Sequence, residues 1–319
     1  MSDRPDVLIV GAGVSGLTTG VRLAESGLRV RIRAVRRPRD TCSAAAGAIW
    51  DPIYATHPHM VAWATRSYEV FADMAARGAP GVHVVDGIEA SREPIVIPSW
   101  ATRLPGYREC AAAELPEGFV RGWFYQAPII DMPSYLDTLL DRLASHEVEI
   151  GYGTPLETLD EAFDEAGVVV NCTGVGAREL VPDVDVTPVR GQLVAVVNPG
   201  IHTFFAEHTD ELGEMTYVIP QGDVLLLGGS AEKGETDEDP DPVVAQGIVA
   251  RCSAIFPRIA DAPFLGHRIG IRPGRGMIRV EHEDLGDRHL VHNYGHGGAG
   301  VSVSWGCADE VTELVLGTR

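Results

Sequence analysis

The sequence lacks paired cysteines, an excess of basic residues and long apolar segments. It has 26 lysines and arginines against 45 aspartates and glutamates, and the resulting net charge of −19 disfavours partners with a phosphate backbone or an anionic lipid surface. No apolar run is long enough to cross a bilayer. Neither a disulfide framework nor a metal site is predicted, because no C-x-x-C pair occurs among the five cysteines, Cys42, Cys110, Cys172, Cys252 and Cys307.

The start of the chain lacks the features of a secretory signal. Met1-Ser2-Asp3-Arg4 is polar and leads directly into a short apolar segment. With the scattered cysteines, which suit a reducing compartment, this start predicts a cytoplasmic protein. The 319 residues, 45% of them hydrophobic and 22% charged, are enough for one large domain or two intertwined ones.

A glycine-rich turn near the N-terminus predicts a dinucleotide-binding site. The apolar segment Asp6–Val10 has the pattern of a buried strand, and a helical pattern extends to about Ser26, followed by an alternating strand over 29–33. Between strand and helix lies a G-x-G-x-x-G motif, whose glycines permit a tight turn and close approach of the backbone to a pyrophosphate at the helix N-terminus. We therefore expect dinucleotide contacts from Gly11, Gly13, Val14, Ser15 and Gly16.

The segment after the second strand leaves the dinucleotide unidentified. The acidic residue that usually binds the adenosine ribose is missing, and Ala34-Val35-Arg36-Arg37 stands in its place. Two arginines there could bind the 2′-phosphate of NADP in a dehydrogenase. They could equally form a solvated basic edge or bind the pyrophosphate of FAD.

The remainder of the chain contains further helix and strand patterns. Periodicity predicts helices over 60–76 and from Pro133 to about Ser145, and a buried strand over 168–171. Strands over 192–197 and 224–227 are expected in a different, antiparallel sheet, and 233–241 in a solvated loop. Near the end, a strand around Leu290 meets a second glycine-rich loop and then a helix that extends to about Leu316.

The sequence around this second loop resembles a known signature. The segment Leu290–Gly300, LVHNYGHGGAG, with Gly306-Cys307-Ala308 after it, is similar to the signature of the D-amino-acid oxidase family. Further family-like segments follow one another in the same order along the chain: Ala46–Pro52, Asn171–Gly174, Arg190–Gln192, Tyr217–Pro220 and Ile271–Pro273.

The resemblance implies an α/β fold with a Rossmann-type FAD-binding domain interwoven with a substrate domain built on a mixed or antiparallel sheet. The FAD-binding domain is expected to comprise 1–52, 145–190 and 265–319, and the substrate domain 53–144 and 191–264.

The second loop also suits FAD on physical grounds. Its glycines precede a helix, whose positive end would stabilise the negative charge that accumulates on the pyrimidine edge of a reduced flavin. An NADP-dependent dehydrogenase needs only the first loop. The FAD contacts expected from the resemblance, with Arg36 and Ser43 as substitutes for the missing acid, are Arg36, Ser43, Ala46, Gly47, Ala48, Thr173, Arg272, Gly297, Gly298, Gly300, Val301 and Ser302.

Three residues are expected to act on the substrate. Arg272 matches the family's carboxylate-binding arginine, a task suited to a bidentate guanidinium. Tyr217 matches the tyrosine that hydrogen-bonds the same carboxylate, and Gly298 would offer its carbonyl to the amino group. From sequence position alone, Arg272 could equally be a surface arginine and Tyr217 a core tyrosine. His292 and His296 are expected to be non-catalytic.

The reaction implied is hydride transfer from a D-amino acid to flavin N5, giving an imino acid that hydrolyses to a 2-oxo acid and ammonia, while O2 is reduced to H2O2. The FAD is expected to be non-covalent, with Cys307 a helix residue. The resemblance also allows a homo-oligomer without identifying its surface.

Several alternatives stay open. No second arginine is evident near Tyr217, and Asp51, if it faces the pocket, would repel an acidic substrate, so neutral D-amino acids are favoured over D-aspartate. A glycine- or sarcosine-type oxidase and a non-catalytic dinucleotide sensor are the other candidates. Because Glu211–Thr216 contains no tyrosine, we expect a more open site than the family commonly has.

Overall fold

The computed structural model describes residues 4–53, 55–209 and 213–318. The strands are β1 (Val7–Val10), β2 (Val30–Ala34), β3 (Val82–Ser91), β4 (Arg108–Glu109), β5 (Arg121–Ile130), β6 (Glu149–Tyr152), β7 (Val168–Asn171), β8 (Thr187–Val197), β9 (Phe204–Glu207), β10 (Tyr217–Gln221), β11 (Val224–Gly228), β12 (Glu232–Lys233), β13 (Phe264–Gly274), β14 (Arg279–Asp284) and β15 (His289–Tyr294). The helices are α1 (Val14–Glu25), α2 (Cys42–Ala45), α3 (Met60–Ala76), α4 (Met132–Ser145), α5 (Leu159–Glu165), α6 (Ala177–Leu180), α7 (Pro242–Ile255) and α8 (Gly300–Leu316).

The first sheet has six strands in the order β14-β15-β7-β1-β2-β6. β1 lies at its centre and pairs in parallel with β2 and β7, so that Val7 is opposite Val30 and Val168. All four residues of β1 are buried. Helices cover both faces of a parallel sheet, which explains why this strand is apolar throughout instead of alternating.

Two glycines allow helices to pack closely beside this sheet. A Cβ on Gly20 of α1 would lie 3.1 Å from both Ile32 and Leu143, which places α1 against β2 and α4. On α8, a Cβ on Gly306 would lie 2.2 Å from the backbone of Trp63, so α8 and α3 approach each other at backbone distance. The glycine in the C-terminal signature is therefore a packing requirement.

The second sheet has nine strands, ordered β12-β8-β11-β10-β9-β3-β5-β4, with β13 also paired to β8. The β8–β13 pair is antiparallel and extends from Val196 opposite Phe264 to Thr187 opposite Gly274. Helix α7 covers part of this sheet, and its Cys252 and Ile248 are completely buried. This sheet forms the second layer of the molecule.

The α/β fold class is confirmed, as are the predicted helices at Met60–Ala76 and in the segment Met132–Ser145. The structure adds one fact to the expected division into domains. β13, which that division placed with the FAD-binding segments from residue 265, is a strand of the second sheet because its backbone pairs along β8. Arg272 therefore extends from the second sheet.

Candidate active site

A cavity of about 1240 Å³ is lined by residues from both sheets and from α2. Its volume exceeds the roughly 300–1,000 Å³ of an ordinary small-molecule pocket, which suits a dinucleotide together with a second, smaller ligand. Of the residues expected to contact cofactor or substrate, the cavity is lined by Gly11, Gly13, Val14, Ser15, Arg36, Ser43, Ala46, Gly47, Ala48, Thr173, Tyr217, Arg272, Gly297, Gly298, Gly300, Val301 and Ser302.

The first glycine turn is closely packed against the end of β7. Gly11 has a φ of +115°, and a Cβ there would lie 2.4 Å from the carbonyl oxygen of Cys172. A Cβ on Gly16 would lie 2.0 Å from the carbonyl oxygen of Gly11. Gly16 is the one expected contact residue that does not line the cavity, because it lies beneath the turn, where it lets α1 close onto the strand.

The N-terminus of α1 opens onto the cavity. The Val14 amide donates to Ser43 Oγ at 2.9 Å, so the hydroxyl of α2 satisfies one of the amides that a helix start leaves without an internal partner. Gly13 precedes the helix, and a Cβ there would lie 3.1 Å from the same Ser43 Oγ. This end of the cavity presents backbone donors and the positive end of the helix dipole to a phosphate.

The two arginines after β2 both have partners within the protein. Arg36 lines the cavity, but its Nη1 donates to Glu238 at 2.7 Å. Arg37 is exposed, with its guanidinium carbon 5.5 Å from the ring centroid of Tyr152. The arginines that had left NADP open thus form an ion pair and a ring contact.

The second glycine loop joins β15 to α8 at the same cavity. The Gly297 amide donates to the carbonyl of Pro273 at 2.8 Å, which ties the loop to the end of β13. His296 accounts for the packing between the two loops, with Nδ1 3.5 Å from Ser15 Oγ and Nε2 3.0 Å from Asn293 Oδ1. Burial lowers the pKa of His296 to about 4, so this imidazole is neutral at pH 7.

Tyr217 and Arg272 lie next to each other in the cavity wall. Burial raises the pKa of Tyr217, and the neighbouring Arg272, which also hydrogen-bonds its hydroxyl, opposes that rise. The tyrosine ring packs over Gly228, where a Cβ would lie 2.0 Å from the ring. The guanidinium likewise lies over Gly191, where a Cβ would be 2.3 Å from its central carbon.

Arg272 presents its guanidinium to the cavity. Its Nη1 donates to the Ser230 carbonyl at 3.0 Å, which fixes the guanidinium without neutralising it. In the part of the chain that the structure describes, no carboxylate forms an ion pair with it. A cavity-facing guanidinium with free donors and no counter-ion is the group that a planar carboxylate matches best.

Among the charged groups in or beside the cavity that sequence reasoning missed are Arg268 and Glu89. Arg268 lines the cavity, its Nη1 is buried without a hydrogen-bond partner among the described residues, and burial lowers its pKa. The alternation of β13 could have identified it, because residues 268 and 272 project from the same face. Glu89, buried on β3, lies near Asp51 and carried no recognisable motif.

A family model described as FAD dependent oxidoreductase matches residues 6–314, nearly the whole chain. The chain belongs to this family of FAD-dependent oxidoreductases. Relatives named D-amino-acid oxidase share 48% identity in Streptomyces coelicolor, covering 97% of this chain and 96% of the relative, and 43% in Rubrobacter xylanophilus, covering 96% and 94%.

The fold of this FAD-dependent oxidoreductase is shared with a solved structure of glycine oxidase from Geobacillus kaustophilus. That structure has a TM-score of 0.84 and 21% identity, and the match covers 99% of this chain and 95% of the other. FAD is the cofactor of the family, and the residues present fit it. Two glycine turns leave no room for side chains, two helix N-termini face the cavity, and the buried Arg268 Nη1 lacks a partner among the described residues.

Two residues on either side of the second glycine loop are buried. His292 is completely buried and does not line the cavity, and Cys307, 1% exposed, packs within α8.

In the described residues, no helix is long and apolar enough to span a membrane, and no group of three metal-ligating side chains occurs. Glu211, at the start of the segment expected to leave the site open, lies outside the described residues.

Proposed function

We propose that this protein oxidises D-amino acids, preferably neutral ones, to imino acids that hydrolyse to 2-oxo acids and ammonia, with O2 reduced to H2O2. One observation carries the proposal. Arg272, without a carboxylate partner among the described residues, and Tyr217 share a cavity with the second glycine loop of an FAD-dependent family. The high identity to relatives named D-amino-acid oxidase supports the same substrate class.

The substrate would be held at its two charged ends. The free donors of Arg272 bind the carboxylate, and the hydroxyl of Tyr217, whose raised pKa keeps its proton in place at neutral pH, donates to the same group. The carbonyl of Gly298 accepts from the amino group. With both ends fixed, the Cα–H bond of only one enantiomer points in the productive direction.

FAD, when bound, supplies the acceptor for the hydride and passes the electrons to O2. The protein contributes orientation and exclusion of water. Apolar side chains line the cavity near Tyr217, among them Leu193, Met215 and Ile219. They suit an aliphatic or aromatic substrate side chain.

A D-aspartate oxidase is the second candidate, because Arg268 supplies a second cation to the cavity. However, it lies four positions before Arg272 on β13, so their two Cα atoms are about 13 Å apart at strand spacing. The carboxylate that acts on the Arg268 guanidinium is that of Asp131, which does not line the cavity. Asp51 also lines the cavity, where a carboxylate would repel an acidic side chain.

The proposal is tested by the visible spectrum of the purified protein under anaerobic conditions. D-alanine should bleach the oxidised-flavin band, and L-alanine at the same concentration should not. D-aspartate and glycine, tested in parallel, should reduce the flavin more slowly than D-alanine. Faster reduction by either would transfer the assignment to that substrate class, and a flavin inert to all four would refute amino acid oxidation.

The cytoplasmic location and self-association stay predictions from the sequence. Gel filtration with light scattering would measure the oligomeric state directly. The −19 net charge continues to argue against nucleic acid and anionic membranes as partners.

A further inference from the structure

A carboxyl group without a positive partner faces the cavity. Asp51 lines it, and its Oδ1 is shielded from solvent and has no hydrogen-bond partner among the described residues. Leaving a carboxyl oxygen unpaired in such a place costs free energy. Polar groups of this kind concentrate at functional sites, where a ligand supplies the missing partner.

The position of Asp51 is set by two parts of the site. Its backbone amide donates to Ser302 Oγ at 3.1 Å, and Ser302 lies in the first turn of α8, directly after the loop that carries Gly298. The preceding residue, Trp50, donates its amide to the carbonyl of Pro128 on β5 at 2.8 Å. Asp51 is thus held in the cavity wall beside the start of α8, which follows the loop whose Gly298 is proposed to accept from the substrate amino group.

A second carboxyl group, that of Glu89, lies close enough to Asp51 for its charge to act on it. Glu89 on β3 is 1% exposed, and both of its oxygens are engaged: Oε2 accepts from the Tyr125 hydroxyl at 2.9 Å, and Oε1 lies 2.5 Å from His208 Nδ1. Burial and, after it, the negative charge of Glu89 raise the pKa of Asp51 well above its ordinary value. A carboxylate in this setting is a stronger base than one in water.

The groups around the pair come from several elements. Tyr125 on β5 has a pKa raised by burial and then by Glu89 and Asp51, and Tyr68 on α3 adds to that effect. Beyond Glu89, Glu207 at the end of β9 is held in an ion pair with Arg92 at 2.7 Å. In the described part of the chain, no cation forms an ion pair with Asp51.

An amino acid arrives at neutral pH as an ammonium ion, whereas hydride departure from Cα requires a lone pair on nitrogen. We propose that Asp51 accepts this proton from the substrate ammonium, with Glu89 as the positioning residue that maintains the basicity of Asp51. One N–H bond breaks and its electron pair stays on nitrogen, while an O–H bond forms on the Asp51 carboxylate. The inference rests on the proposed oxidation of D-amino acids.

The test is the pH dependence of flavin reduction by D-alanine in the anaerobic holoenzyme. A raised pKa means that Asp51 is protonated and inactive as a base at low pH, so kcat/KM rises as Asp51 ionises. In Asp51→Asn only substrate already deprotonated in solution can react. The acid limb should then move up to the pKa of the free ammonium, with a loss of about tenfold per pH unit below it.

Glu89→Gln should move the same limb in the opposite direction, because it removes a negative charge beside Asp51. The matched control is Asp86→Asn, which removes an exposed carboxylate from β3, the strand that also carries Glu89. This variant should leave the pH profile of kcat/KM unchanged. Affinity for propionate, a carboxylate without an ammonium, should be equal or tighter in Asp51→Asn. An acid limb that is the same in wild type and Asp51→Asn would overturn the inference.

A direct measurement does not require turnover. In holoenzyme labelled with 13C at the aspartate carboxyl groups, the NMR signal that Asp51→Asn removes should titrate well above the others, and an ordinary pKa would also overturn the inference. If wild-type flavin is reduced by no D-amino acid, the proposed function fails instead. The two failures are therefore distinguishable.

Discussion

Removing the guanidinium of Arg272 should abolish most of the catalytic efficiency. In Arg272→Ala, the substrate carboxylate loses two charge-assisted hydrogen bonds in the cavity. Each such bond contributes about 1.5–3 kcal/mol, so the loss is roughly 3–6 kcal/mol. At about 1.4 kcal/mol per factor of ten, kcat/KM for D-alanine should fall by about 10²–10⁴.

Two further variants separate charge from geometry. Arg272→Lys keeps the positive charge but loses the planar guanidinium. Its kcat/KM should therefore lie between those of Arg272→Ala and wild type, with the gain over Arg272→Ala mainly in kcat. Gly191→Ala keeps the arginine at position 272. The new Cβ would lie 2.3 Å from the guanidinium carbon of Arg272, so the guanidinium must move. This variant should therefore raise KM by displacing the guanidinium of Arg272.

The assay is anaerobic stopped-flow reduction of the flavin across a range of D-alanine concentrations. Arg288→Ala, which removes a partly exposed arginine paired with Asp160, is the control and should behave as wild type. The FAD dissociation constant of each variant, measured by fluorescence, shows whether Arg272 also contributes to cofactor binding. A kcat/KM for Arg272→Ala within threefold of wild type would refute the assignment of the carboxylate site.

Three other changes have defined outcomes. Tyr217→Phe removes one donor to the carboxylate, so kcat/KM should fall about tenfold, and an unchanged value would show that the hydroxyl does not contact substrate. Gly306→Ala places a Cβ 2.2 Å from the backbone of Trp63 and should destabilise the fold by at least about 2 kcal/mol in urea unfolding; equal stability would contradict the close contact. Ser43→Ala deprives the Val14 amide of its acceptor and should cost about 1 kcal/mol by the same measurement, with loss of FAD affinity expected to stay below tenfold.

Local patterns in the sequence predict the first glycine turn and the strands and helices beside it. β1 is apolar and buried at all four residues, and its G-x-G-x-x-G continuation requires a conformation and a packing distance that only glycine permits. The identities of Arg272 and Tyr217 as site residues came from resemblance to a family. Their positions in the chain gave no reason to place them together, since the contact depends on how β10 and β13 lie in one sheet.

Long-range pairing explains what the sequence did not reveal. The Arg36 guanidinium meets Glu238 across 202 positions, from a loop whose acidic character had predicted only solvation. Glu89 reaches the neighbourhood of Asp51 because β3 pairs with β5, placing Glu89 opposite Trp123. Such contacts depend on strand register, and no local periodicity encodes which strands become neighbours.

The two points that would hold the substrate are joined by the backbone itself. Pro273, next to Arg272, accepts a hydrogen bond from the amide of Gly297, next to Gly298, at 2.8 Å. Arg272, which would bind the substrate carboxylate, and Gly298, which would accept from the amino group, are thus each one residue from this hydrogen bond. A distance fixed by backbone pairing changes little when nearby side chains vary. Enantiomer preference should consequently survive substitutions of Met215 or Leu193 that alter which side chains are accepted, and a variant at either position that oxidised L-alanine as fast as D-alanine would show that the side-chain pocket, not this bond, sets the selectivity.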